Sequence, residues 1–140
     1  IPSAAEAEIV VEALRALTDA PAWVTFSCVD DVHTCSGDAF ADAAARVAGS
    51  VTAVGVNCTA PVHVESLLRS APAGLPLVAY PNHGAHWDSE HKCWLGPTGG
   101  SELGGYVPAW LQAGARLIGG CCGVGTEGIA LLSALRDSLA

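Results

Sequence analysis

The chain has 140 residues, 51% of them hydrophobic and only 14% charged, and a formal net charge of -8. That composition excludes a disordered segment and gives core material for one domain. With six Lys and Arg in all, it also excludes nucleic acid and anionic membrane as partners, since both require clustered positive charge.

The first segment, Ser3 to Leu17, predicts an amphipathic helix. Pro2 and a Ser3-x-x-Glu6 capping box start it, and Ile9, Val10, Ala13, Leu14 and Leu17 recur at helical spacing. Ala22 to Cys28 is short and rich in β-branched and aromatic residues, so it predicts a strand, closed by Asp30, Asp31 and a Ser36-Gly37 turn. An alanine-rich helix from Ala39 to Ala48 stops at Gly49. Val51 to Val56 follows as a second strand, and a helix runs from Pro61, which suits a first helical turn, to Ser70. Leu75 to Tyr80 predicts the third strand, with a long loop from Pro81 to about Gly100. A helix around Gly105 to Ala113 ends at Gly114, and Arg116 to Gly119 predicts the fourth strand. Thr126 caps the last helix, with Ile129, Leu131, Leu132, Leu135 and Leu139 on its buried face.

One helix followed by about four βα units, with strands apolar on both faces, means a parallel sheet covered by helices. Two features favour a barrel over an open doubly wound sheet. Cys28, Cys58, Asn82, Cys121 and Cys122 all fall just after strands, where barrel enzymes build their sites, and no Gly-x-Gly-x-x-Gly turn follows the first strand. A whole barrel takes about 250 residues and eight strands. The expected fold is therefore α/β, the C-terminal half of a (β/α)8 TIM barrel, as one domain over residues 1–140. Ile1 is not a translation start and the chain has no Met, so a processed or truncated amino end is expected.

No apolar run approaches the roughly 20 residues of a bilayer span, and IPSAAEAEIV has no basic region leading into an apolar one. Six cysteines in a chain with long regular segments point to a reducing cytoplasm rather than a disulfide scaffold. Cys121 and Cys122 are adjacent, and neighbours in a strand point to opposite faces, so they converge only if the backbone turns sharply. Gly119, Gly120 and Gly123 supply that freedom. With Cys58 at another strand's end, three thiolates would suit zinc and leave its fourth position open, as in catalytic sites. Buried, unliganded thiols are the alternative reading.

Gly55-Val56-Asn57-Cys58, Pro76-Leu77-Val78-Ala79-Tyr80-Pro81-Asn82 and the run from Ala113 to Cys122 occur in this order, and together they resemble the homocysteine S-methyltransferase family. The likeness extends to Trp23-Val24-Thr25-Phe26-Ser27, Trp87-Asp88 and Trp110, and so to nearly the whole chain. It implies a zinc-dependent (β/α)8 barrel with Cys58, Cys121 and Cys122 as ligands of Zn2+. It also implies homocysteine and a methyl donor as partners, either S-methylmethionine or S-adenosylmethionine, with methionine as product. After the cysteine pair many members carry Arg-Thr-Thr-Pro. Here Gly123-Val124-Gly125-Thr126 stand instead, closer to the homocysteine domain of cobalamin-dependent methionine synthase, which is the alternative, as is a non-catalytic zinc-binding fragment. The family's first four strands have no counterpart in these residues. The resemblance therefore implies a chain inactive alone, which recruits the missing amino-terminal half-barrel or associates with itself.

Other residues have two readings. Asn57 and Asn82, at strand ends, either orient substrate or satisfy loop backbone. His83, His86 and His91, with Asp88 and Glu90, form a loop cluster that is expected to be solvent-exposed rather than metal-binding. Cys28 is expected at the mouth as a spare thiol, while Cys35 and Cys93 are incidental. Trp87 and Trp94 either pack under the loop or wall the pocket.

Overall fold

Each apolar run between helices becomes a strand of one parallel sheet. In a computed structural model, which describes residues 1–96 and 101–139 without the side chains of His86, Trp87, Trp94, Ser101 and Leu139, the strands are β1 (Trp23–Phe26), β2 (Ala53–Asn57), β3 (Leu77–Tyr80), β4 (His86–Asp88), β5 (Cys93–Leu95) and β6 (Ala115–Ile118). The helices are α1 (Ala4–Leu17), α2 (Phe40–Val47), α3 (Pro61–Ser70), α4 (Val107–Gln112) and α5 (Thr126–Leu139). The main sheet runs β1-β2-β3-β6, parallel throughout. Its spatial order follows chain order without reversal. A doubly wound sheet reverses direction at a switch point, whereas a barrel adds each strand beside the last.

One face of the sheet packs on the helices. Val24, Phe26, Val54, Val56, Leu77 and Ala79 are buried there with Phe40, Val47, Val64, Leu67 and Trp110, and Phe26 meets Phe40 edge-on at 6.0 Å. On the other face Thr25 and Gly55 are in register, and the Thr25 hydroxyl bonds the Tyr80 hydroxyl at 2.5 Å across β2. A Cβ at Gly55 would run into the Val78 carbonyl, so only glycine lets β2 and β3 close up here.

Several sequence expectations are corrected. In α1 the Ser3 cap forms, accepting from the Glu6 N–H at 3.2 Å, but the buried residues are Ala4, Ala7 and Val11. Ile9, Val10 and Leu17 are exposed, Leu17 at 86%, because α1 meets α2 through its small residues, which allow close approach. In α5, Ile129 is exposed and Leu131, Leu132 and Leu135 are only half-buried, while the Leu139 side chain lies outside the described residues. Thr126 opens this helix rather than preceding it, and the Ile129 N–H bonds the Gly125 carbonyl at 3.2 Å. The long loop after β3 contains an antiparallel hairpin, β4 with β5. Its turn is set by Asp88, which accepts from the N–H groups of Glu90 and His91. Three-residue strands are too short for alternation to reveal.

Candidate metal centre

Three sulfurs meet at the carboxyl end of the sheet. The Sγ atoms of Cys58, Cys121 and Cys122 lie within 4.8 Å of one another. Cys122 stands 3.5 Å from Cys58 and 3.9 Å from Cys121, and Cys58 and Cys121 are joined as a disulfide, with Cα atoms 5.5 Å apart. The cluster follows β2 and β6, and what joins it is the end of the strand between them. The Cys58 N–H donates to the Tyr80 carbonyl at 3.2 Å, and the Cys121 N–H to the Pro81 carbonyl at 2.8 Å. The His83 N–H returns to the Cys122 carbonyl at 3.1 Å. The last residue of β3, Tyr80, with Pro81 and His83 after it, thus holds both cysteine turns.

Beneath Cys58 sits Thr59, fully buried. Its hydroxyl donates to the Asn57 carbonyl at 2.9 Å and accepts the Cys28 N–H at 3.0 Å, while its carbonyl accepts the Asn82 N–H at 3.1 Å. Cys58 takes φ of 46°, an uncommon conformation for a residue with a side chain. Sequence reading missed both Thr59 and the carbonyls of Tyr80 and Pro81. A hydroxyl directly after a strand-end cysteine is a weak signal, and backbone acceptors leave none.

Asn57 keeps its Oδ1 buried with no hydrogen-bond partner among the described residues. In contrast, Asn82 accepts the Gly84 N–H at 2.8 Å and reaches the Cys58 carbonyl with Nδ2 at 3.5 Å.

Cys28 does not reach the mouth. It is buried in the hydrophobic core, and burial, aided by Cys35 nearby, pushes its thiol up to about 12. Cys35 and Cys93 are exposed and outside the cluster. His83 is buried at 5% exposure instead of facing solvent, because the loop folds back onto the cysteine turn. His91 is exposed and pairs with Asp88 at 2.6 Å. The side chains of His86, Trp87 and Trp94 lie outside the described residues. Among the described residues, the cysteine trio is the one group arranged to hold a metal.

Residues 1–135 match the family model described as Homocysteine S-methyltransferase. The chain belongs to that family. Among curated relatives of this homocysteine S-methyltransferase family, YbgG of Bacillus subtilis is 35% identical over 143 residues, covering 99% of this chain and 45% of its own. Among solved structures, the metallated form of the homocysteine methyltransferase MmuM from Escherichia coli superposes with a TM-score of 0.77 at 35% identity, covering 96% of this chain and 42% of that one. An oxidized form of the same enzyme gives 0.76 at 34%. The chain spans less than half the length of these relatives, and its four parallel strands make it a partial barrel.

Proposed function

We propose that Cys58, Cys121 and Cys122 hold zinc in the reduced chain and that this site serves methyl transfer from a sulfonium donor, S-methylmethionine or S-adenosylmethionine, to the thiol of homocysteine, giving methionine. The observation that carries the reading is the meeting of three sulfurs from two separate βα turns. A tetrahedron with Zn–S bonds of about 2.3 Å sets sulfurs about 3.8 Å apart. The spacings of 3.5 and 3.9 Å to Cys122 fit that figure, and the Cys58–Cys121 bond must first be reduced. Held by Cys58, Cys121 and Cys122, zinc would supply the chemistry that lowers the pKa of a substrate thiol, so that it reacts as thiolate at neutral pH.

The protein's own part is to place and to screen. In the displacement, a bond forms between the homocysteine sulfur and the methyl carbon. The methyl–sulfonium bond breaks, and its electron pair stays on the donor sulfur, which becomes a neutral thioether. Three thiolates outweigh the charge of one divalent cation, so the site favours a cationic donor. Asn57, with its unpaired Oδ1, and Asn82 are assigned to the amino-acid part of the substrate. Residues 1–140 form one homocysteine-binding domain, and a reducing cytoplasm is the compartment that keeps its thiols available.

The 140 residues alone are inferred not to turn over. Among the described residues, both sheet edges are open except where Ile1 lies beside β1, donating to the Thr25 carbonyl and accepting the Ser27 N–H. A second half-barrel, supplied by the missing amino-terminal strands or by self-association, completes the pocket.

Elemental analysis of the reduced protein, beside Cys121→Ser, tests the metal site. About one zinc per chain, lost in the variant, is expected, together with a change in the spectrum of the cobalt form on adding homocysteine. A folded, reduced chain that takes up no metal would sink the assignment.

A further inference from the structure

We propose that His83 is a positioning residue for the cysteine pair: its ring occupies the space left by the absent side chain of Gly123 and holds the turn that aims Cys121 and Cys122 at Cys58. This rests on the metal-site reading above.

His83 is buried in the loop after β3, and its backbone N–H is bonded to the Cys122 carbonyl. A Cβ at Gly123 would overlap the Nδ1, Cε1 and Cγ atoms of the His83 ring. The ring therefore lies directly against the turn, in the volume any other residue at 123 would fill. Gly123 itself has φ of 76°, and the Val124 N–H bonds back to the Cys121 carbonyl at 3.1 Å. The turn is thus closed by its own hydrogen bond on one side and braced by a flat ring on the other.

That brace has a purpose at this place. Neighbouring side chains of an extended chain point apart, yet the sulfurs of Cys121 and Cys122 are 3.9 Å from each other. Their convergence depends on the turn. A glycine-rich turn is also the segment most free to adopt other shapes. A buried ring against Gly123 removes that freedom without contributing a ligand atom. The place of the ring against the turn is what gives His83 this role.

A double-mutant cycle tests this, read by cobalt(II) titration of the reduced chain through its thiolate charge-transfer absorption. Gly123→Ala is expected to weaken cobalt binding about 10- to 100-fold, the effect of losing a supporting contact, and His83→Ala about 10-fold. His83→Phe, which keeps a flat ring, is expected to stay within about 3-fold of the parent. Combining His83→Ala with Gly123→Ala removes the overlap, and recovery of about 10-fold over Gly123→Ala alone is expected.

A second readout uses no metal: the rate at which oxidised glutathione converts Cys58 and Cys121 to their disulfide, counted by alkylating the remaining thiols. It is expected to fall in the same order of variants. Absence of recovery in the double variant, or a Phe variant as weak as the Ala variant, would overturn the proposal. If the parent binds no cobalt, the metal reading fails by itself, and the disulfide rates decide the role of His83.

Discussion

Cys58, the proposed metal ligand on β2's turn, stands at a backbone angle that an L residue adopts only at a cost of roughly 1–2 kcal/mol. Its neighbours offset that cost, above all Thr59, whose buried hydroxyl satisfies the Asn57 carbonyl and the Cys28 N–H together. Thr59→Val keeps the shape and leaves both groups unpaired. It is expected to lower stability by about 1–3 kcal/mol in urea melts and to weaken cobalt binding, whereas Thr59→Ser is expected to restore both. Cys28 makes the opposite kind of contribution. Burial raises its thiol from 9.0 to about 12, so the stabilising neutral form is fully present below pH 9 and is lost as pH rises from 9 toward 12. Alkylation at neutral pH is expected to spare Cys28 in the folded chain and modify it only after denaturation, a contrast that peptide mapping reads directly.

Among the elements, β3 is the one that organises the site, although it bears no sulfur. Its last residue and the three that follow bond to both cysteine turns, so a shift of β3 moves the three cysteines together. The close approach of β2 to β3 depends on Gly55. Gly55→Ala is expected to cost about 3 kcal/mol or more, since the obstructing atom is backbone and cannot turn aside, and to reduce metal uptake, as measured by paired melting and metal analysis. In the loop before α2, the Asp38 carboxylate accepts the Ala4 N–H at 2.8 Å and ties the start of α1 to that loop. Asp38→Ala is expected to cost about 0.5–2 kcal/mol in urea melts, as loss of a helix cap does, with metal binding unchanged.

The molecule as a whole presents two sheet edges, β1 and β6, and several large apolar residues are exposed. Leu17 and Trp23 are 86% and 55% exposed, with Ile9 and Ile129 also open. An uncovered strand edge, with its row of unpaired N–H and C=O groups, is a template for pairing with another chain. Sedimentation is expected to show the isolated chain as a dimer or larger species, and Leu17→Glu with Trp23→Lys is expected to shift it toward monomer without loss of helical signal. Monodisperse monomer in the parent would count against the half-barrel needing a complement.

The alternation of strands and helices, the parallel sheet and the residues closing each strand were legible in the sequence, because periodicity and turn chemistry are local. The cysteines could be singled out too, since strand ends converge at one end of any βα sheet. Burial was less legible. Ile9, Leu17 and Ile129 have the spacing of a core face, yet whether such a face is covered depends on what packs against it, which no local pattern states. The same holds for Cys28 and His83, whose burial follows from loops folding back onto distant turns. The sequence by itself determined the order of the helices and of the parallel strands, and the thiols that stand at their ends. Only the tertiary structure decided that three of those thiols meet, because their meeting depends on backbone bonds from an intervening strand, and backbone groups are the same in every residue but proline.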